Sequence, residues 1–557
     1  MNKLSDAPRP PINQGIDKDN QMVLRHTTIY NSLLAHITED LGDAYYAINP
    51  YGTAPLSGYI GVWAKDTSPI RVQISDDIGS IPVDYSYTPT AGANLIPLLG
   101  ISADAANKVT VTAPGLGTSV AMVITNPLPP SDETIPTPPA DNVFTGFPTI
   151  EVTIPSANPP KTVIDLYFLS FADRYNIGLD ENGTVRWYTT LEIPAGNPER
   201  FSNGHFYATS NKFNFLKILY EFDMVGRVYN VYIFDNRVHH SILELPDGNI
   251  LIPSEYTGTT LEDGLSIVDI NTGLETAYYD MRSVLDTKRI PKPRIEDELD
   301  WLHINQSYLD IKNNLFVCSA RHQCVFAVDA TTSELSFILA NQQGWGVEFE
   351  KFFLTPVDSS GTPLYDLSNP VDIDKADKEF WPWGQHDVYE VPNETKGIAD
   401  FLLFDNGNYR SREDAKALLP NDNASRLIHY RVDLNKMTVM IVYEYGTTEV
   451  GKRGYSSYVC NVQILDNNNY FINFGGILID ENGRLTSVGP GITDIVDPLD
   501  GKMVLGKVLA QEIDPISNKA LIEFTCTSGK YKTLDTDGPA YRTAFFSFRS
   551  HKYTMLP

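Results

Sequence analysis

The sequence predicts an all-β protein, a β-propeller preceded by a small β-sandwich, and three observations carry that expectation. Of 557 residues, 42% are hydrophobic and 11% aromatic, the composition of a folded β protein and not of a disordered chain. Short runs of alternating hydrophobicity recur between Gly- and Pro-containing turns. A unit of strand, Asp, turn and second strand then returns about every 45 residues, as expected of a propeller.

The elements follow in order. Residues 21–41 place Ile29, Leu33, Leu34, Ile37 and Leu41 at spacings of three and four, which predicts an amphipathic helix. From Asn49 to about Thr125, runs such as YIGVWA, RVQISD and AMVITN read as the sandwich. Pro127, Pro129, Pro130, Pro136, Pro138 and Pro139 mark an interdomain linker. The domains expected are therefore residues 1–140 and residues 141–557. In the second, seven hairpins are signalled by Asp180, Asp223, Asp269, Asp329, Asp433, Asp480 and Asp514, each able to close its own turn through an Asx hydrogen bond. The hairpin at Asp480 reads equally as an insertion within a blade, so the count leaves six or seven blades open.

Charge narrows the function classes. A formal net charge of −27 repels phosphate backbones and anionic lipid, so neither nucleic acid nor membrane is an expected partner. An anion site in such a chain needs a local concentration of cationic groups. There is no run of 18 apolar residues, and MNKLSDAPRPPINQG lacks the apolar core of a signal peptide. Cys318, Cys324, Cys460 and Cys526 form no CxxC pattern and read as buried thiols, although Cys318 and Cys324 are close enough in sequence to face each other across a hairpin.

Aligning the repeats on DGNILI, KNNLFV, ELPDG and EVPNE puts His240, Asn305 and His386 on one position of three blades. His303, two residues before Asn305, shares its strand face, and Arg321 follows at the end of the next strand. Imidazoles gathered with a guanidinium and an amide suit an oxyanion such as sulfate or phosphate. A metal is the competing ligand for imidazole, but Arg321 beside it would be unfavourable and no carboxylates of a three-ligand site stand out, so none is expected.

Six fragments extend this reading: NPYGTAPL (49–56), HHSILELPDGN (239–249), DWLHIN (300–305), SARHQ (319–323), WGQHD (383–387) and FDNGN (404–408). As an ordered set across nearly the whole chain, they resemble the bacterial arylsulfate sulfotransferases. The resemblance implies a six-bladed propeller behind the sandwich, a homodimer, export to the periplasm, and sulfuryl transfer from a phenolic sulfate ester to a phenolic acceptor. It implies no nucleotide donor or other cofactor. It makes His386 the nucleophile, with His303, His240 and Arg321 also in the catalytic site. Asn305 is implied as a sulfate binder and His239 is the other member of the HH pair. A late hydroxyl falls near Ser457, though the ring register there reads Cys460. The cysteine-closed loop expected before the nucleophile is missing, since residues 351–385 contain no cysteine. Residues 358–380, with the acidic run VDIDKADKE, are expected as a loop or rim, and Trp381 and Trp383 as aryl-pocket lining or propeller packing.

Neutral imidazole is nucleophilic near pH 7, so a sulfohistidine on His386 would split the transfer into two steps. The rivals are a non-catalytic propeller that binds an anionic ligand and an aryl sulfate hydrolase. GTTEVGKR (446–453) has P-loop spacing but ends in Arg453 where Ser or Thr should stand, and TSPIR (67–71) has Thr67 where a sulfatase needs Cys or Ser.

Overall fold

The computed structural model describes residues 17–555 apart from 40, 42, 115–116, 132–145, 159, 164, 172–174, 192, 194–197, 211–217, 235, 256–259, 293–298, 481, 487–502, 528–531 and 534–546. Pro136, Pro138 and Pro139 of the expected linker lie outside the described residues. The described residues divide into two compact units, one within 17–233 and 550–555, the other within 234–549.

The first unit opens on the helix Asp17–Ala35, which packs on the strand Val228–Ile233. Its most buried side chain is not one of the predicted apolar stripe but His26, whose Nδ1 accepts the Val228 N–H at 3.0 Å. Burial, reinforced by Arg25 and Arg227, pulls His26 down to about 4 and keeps it the neutral acceptor this bond needs. The sandwich follows as two antiparallel sheets. One runs Tyr45–Ile48, Gly58–Ala64, Gly92–Leu98; the other runs Val83–Tyr87, Ile70–Ser75, Ala106–Ala113, Gly117–Ile124. TSPIR is no nucleophile segment, for it leads into the strand Ile70–Ser75, whose alternate residues Ile70, Val72 and Ile74 are buried.

Propeller-type antiparallel meanders make up the rest, most of them built on four consecutive strands. Glu199–Arg200, Phe206–Ser210, Ile218–Phe222 and Val228–Ile233 form one in the first unit; Asp165–Phe171, Asn176–Leu179 and Val185–Thr189 form another, edged by the C-terminal strand Ser547–Thr554. In the second unit the meanders begin with Leu243–Glu244, Ile304–Asp310, Asp387–Glu390 and Asn461–Ile464, and these leading strands determine where the site lies. Leu485–Thr486 pairs only with the far end of Tyr470–Asp480, so the Asp480 hairpin is an appendage of the last sheet.

All seven predicted turn aspartates accept backbone N–H bonds from residues two to four positions on, for example Asp180 from Asn182 and Thr184, and Asp329 from Thr331 and Thr332. The Asp180 turn also needs Gly183 at φ 75°, a conformation costly for any residue with a Cβ. The four cysteines are buried free thiols. Strand register pairs Cys318 with Phe326 and Cys324 with Ala320, so the first two never face each other. GTTEVGKR opens no α-helix: Gly451–Gly454 is one 3-10 turn, and Lys452 and Arg453 pair with Asp422 and Glu523. Among the described residues no helix is long and apolar enough to cross a membrane.

Candidate active site

Each of the four sheets of the second unit delivers site residues where its leading strand begins. His240 stands just before Leu243–Glu244, His303 before Ile304–Asp310, His386 before Asp387–Glu390, and Val459 and Cys460 before Asn461–Ile464. The backbone is left-handed at the same place in every sheet: φ is 54° at His240, 57° at His303, 66° at Gly384, 55° at Val459 and 90° at Cys460. For residues with a Cβ this costs roughly 1–2 kcal/mol each, held by the surrounding sheet. The kinks turn the side chains together. The rings of His240 and His386 lie 6.1 Å apart, those of His240 and His303 5.1 Å apart, and the Nε2 atoms of the latter pair are 3.1 Å from one another.

His386 is 3% exposed, and its two ring nitrogens have different partners. Nδ1 donates to Asn406 Oδ1 at 2.9 Å and to Gly384 O at 3.2 Å, because a carbonyl oxygen can only accept. Nε2 accepts the Val459 N–H at 2.9 Å. Burial, and then the charge of Arg321, holds its pKa well below the ordinary imidazole value, so the ring is neutral with its lone pair on Nε2. Asn406 in turn donates to Ser456 O at 2.8 Å and to Val459 O at 3.3 Å, tying the imidazole to the kinked segment that faces it. Asp387, as expected from strand alternation, plays no part here; its carboxylate accepts the Val462 N–H and lies 3.2 Å from Arg549.

The sequence offered no signal for the carboxylates. Glu262 Oε2 and Asp300 Oδ2 lie 2.7 and 2.8 Å from His303 Nδ1, so carboxylates do stand among the histidines, although none of a three-ligand site stood out in the sequence. Burial opposes charge on His303, but Asp300 and Glu262 outweigh it and raise the imidazolium to about 10. His240 is held well below its ordinary value by burial and by His303, and His322, 3.3 Å from Asp300, is pulled down to about 4 chiefly by burial. The cluster thus holds one protonated ring among neutral ones. Two triads, His239–His240–Glu262 and Asp300–His303–His322, bring ligand atoms within 4.8 Å of one another and are the sets that could hold a metal ion. In both, the carboxylate already faces His303, whose charge it balances.

The remaining predicted residues divide. Arg321 is 6% exposed, donates to Ser457 O at 3.4 Å, and is a buried cation on the His386 side of the cluster. His239 is buried beside His240, and among the described residues its nitrogens have no hydrogen bond, only Glu262 at 3.7 Å. Ser457 contributes its carbonyl to Arg321 and Asn408, while its hydroxyl is buried without a hydrogen-bond partner among the described residues. Cys460 points its sulfur at Ser456 and the Gly475 N–H. Asn305 does not simply share the face of His303: it is the extra residue of a bulge between Ile304 and Gln306, and its amide donates to Gln385 O at 3.0 Å. The run expected as a loop is in part the helix Pro370–Glu379, capped by Asn369. Trp381 is 1% exposed within an apolar core cluster, which makes it packing; Trp383 joins that cluster but also borders a cleft beside the site.

Fold and site together define a propeller-type protein, with an N-terminal sandwich, that concentrates imidazole and guanidinium groups in a buried polar centre. The same frame appears in sequence comparison. Residues 151–542 match the family described as arylsulfotransferase (ASST), and residues 45–126 match the arylsulfotransferase Ig-like domain. The chain belongs to the arylsulfotransferase family. Two relatives, both called arylsulfate sulfotransferase AssT, come from Escherichia coli O6:H1 and Lelliottia amnigena; they are 24% and 23% identical over 85% of this chain and 90% of their own lengths. A solved β-propeller domain of Cps50 (Swd1) from Myceliophteria thermophila is 10% identical, with a TM-score of 0.30 over 68% of this chain and 99% of that one.

Proposed function

We propose that this protein transfers a sulfuryl group from a phenolic sulfate ester to a phenolic acceptor, through a sulfohistidine on His386. The observation that carries the reading is the state of that ring: neutral, with Nδ1–H anchored on Asn406 and Gly384 and the lone pair on Nε2. In the first step Nε2 bonds to sulfur, the S–O bond to the aryl oxygen breaks, and phenolate leaves with the bonding pair. The Val459 N–H must give up Nε2 for this to occur, which frees a backbone donor beside the sulfuryl oxygens. Charge on those oxygens is met by Arg321 and by the imidazolium of His303, both fixed before substrate arrives. His240 lies between His303 and His386 and can take a proton from His303 Nε2 and pass it to the leaving oxygen. The acceptor phenol reverses these proton steps and attacks sulfur, returning His386. No metal or nucleotide enters this sequence.

The experiment is mass spectrometry of protein quenched after exposure to 4-nitrophenyl sulfate alone. An adduct of about 80 Da on His386, absent from His386→Asn, is expected of covalent catalysis at this position. An adduct on another residue refutes the assignment. Nitrophenol release that is the same with and without added phenol makes the enzyme a hydrolase instead.

A further inference from the structure

Beside the histidine cluster lies a second concentration of positive charge, of which the transfer steps above use only Arg321. A cleft bordered by Arg289, Lys292, Arg321, Trp383 and Arg412 also takes in the backbone of Gly384 and Gln385, immediately before His386. It is open to solvent and narrow, with room for one small group and not for a ring. Arg289 is 4% exposed, stacks on Trp345 at 4.5 Å, and spends its hydrogen bonds on the carbonyls of Gln323, Asn341 and Gln343 and on the Gln323 side-chain oxygen. Arg321 bonds to Ser457 O and Arg412 to Ile290 O.

Each of these partners is a neutral carbonyl or amide oxygen. Among the described residues no carboxylate forms an ion pair with Arg289, Arg321 or Arg412, whereas Lys292 is matched by Asp414 at 2.6 Å. Asp377, whose field reaches Arg289 and Arg412, is buried and bonded to Asn341 at 2.5 Å; burial pushes it up to about 7, so its charge is only partial near neutral pH. Asp286 acts on Arg289, and Asp300 and Glu262 on Arg321, but from beyond ion-pair distance and, for the latter two, while facing His303. Three guanidiniums without a carboxylate in contact, in a chain of net charge −27, are costly unless an anion visits them.

We propose that this cleft is a second anion subsite, which recognises a carboxylate or further sulfate carried on the aromatic ring of the donor or the acceptor. The inference rests on the sulfuryl-transfer reading, because Arg321 is common to both places: a sulfate among the histidines puts the rest of its molecule next to the cleft. Arg412, which is less buried than Arg289 and Arg321 and makes one hydrogen bond among the described residues, is the group most able to turn to a ligand.

The test compares 4-carboxyphenyl sulfate with 4-carbamoylphenyl sulfate as donors, and 4-hydroxybenzoate with 4-hydroxybenzamide as acceptors, in the wild type, Arg412→Gln and Arg412→Lys. The ratio of kcat/KM within each pair, compared between proteins, cancels the intrinsic reactivity of the rings. In the pair whose ring reaches the cleft, the preference for the charged member should fall about tenfold in Arg412→Gln and be largely kept in Arg412→Lys. Which pair responds tells whether donor or acceptor supplies the anion. Calorimetric binding of the four compounds to the full-length His386→Asn protein reads the subsite without chemistry. If turnover fails in all proteins while binding still prefers the carboxylates through Arg412, the transfer reading falls and the subsite stands. Ratios equal in wild type and Arg412→Gln, in both turnover and binding, overturn the proposal.

Discussion

Replacing Asp300 by Asn removes one of the two carboxylates that keep His303 charged while preserving shape and a hydrogen-bond acceptor. Raising that imidazolium from 6.5 to about 10 against burial corresponds to a net stabilisation of its charge of roughly 5 kcal/mol. Glu262 and Asp300 stand at nearly equal distances from Nδ1, so each accounts for about half. Because they also offset the cost of burial, their removal one at a time should shift the titration of His303 down by about two pH units or more, roughly 2 kcal/mol at least. A raised histidine is fully protonated below its unfolded value and deprotonates as pH climbs through the folded one. In the wild type, kcat/KM for an aryl sulfate should therefore hold through pH 8–9 and decline near 10, with no acid limb from His386, whose value is depressed. In Asp300→Asn and in Glu262→Gln the alkaline limb should move down by those two or more pH units. An alkaline limb at the same pH in all three proteins, with the folded state intact by circular dichroism, would refute the claim that these carboxylates hold the charge on His303.

Other outcomes follow from the same geometry. Asn406→Ala removes the acceptor that fixes the His386 tautomer, and single-turnover kinetics should show the sulfation step slowed by about ten- to a hundredfold, more than any change in KM. Arg186→Met should be costly, about 3–5 kcal/mol in urea denaturation: it strips Asp180 of a partner at 2.7 Å and leaves Ile81 O, Gly100 O and the Ser102 hydroxyl without their donor. Asp329→Ala opens one exposed Asx turn by removing the acceptor for Thr331 and Thr332, and should lower stability by only about 1–2 kcal/mol, read as a small fall in Tm.

The contrast between the last two substitutions shows what was legible in the chain. Asp329 acts on neighbours two and three residues away, so its role can be read from the local text. The same holds for all seven hairpins, for strand alternation in Ile70–Ser75, and for the shared position of His240 and His386 at the start of their sheets. Arg186 offers no such text: its partners at Ile81, Gly100 and Ser102 are 84 to 105 residues away.

The site has the same two layers. Periodicity and repeat register were enough to select His240, His303, His386 and Arg321, because identical strand–turn units deliver corresponding positions to corresponding places. Their states of charge were not selectable that way. Glu262 comes from a loop before Gly264–Val268 and itself has φ 52°, Asn406 follows the strand Ile398–Asp405, and Val459 approaches His386 across 73 residues through a backbone N–H that carries no side-chain signature. Even Asn305, correctly placed on its strand, was turned by a bulge that alternation does not foresee. The sequence by itself determined strands and turns, which depend on interactions a few residues long, and the repeat register that brings His240, His303 and His386 together, whereas His322, with its ring 5.0 Å from that of His303, carried no such sign. Only the tertiary structure decided which histidine is charged, which is neutral and which atom of His386 is available. Those properties depend on burial and on groups that folding brings alongside: Glu262 and Val459 from other sheets, and Asn406 from the next strand of the same one.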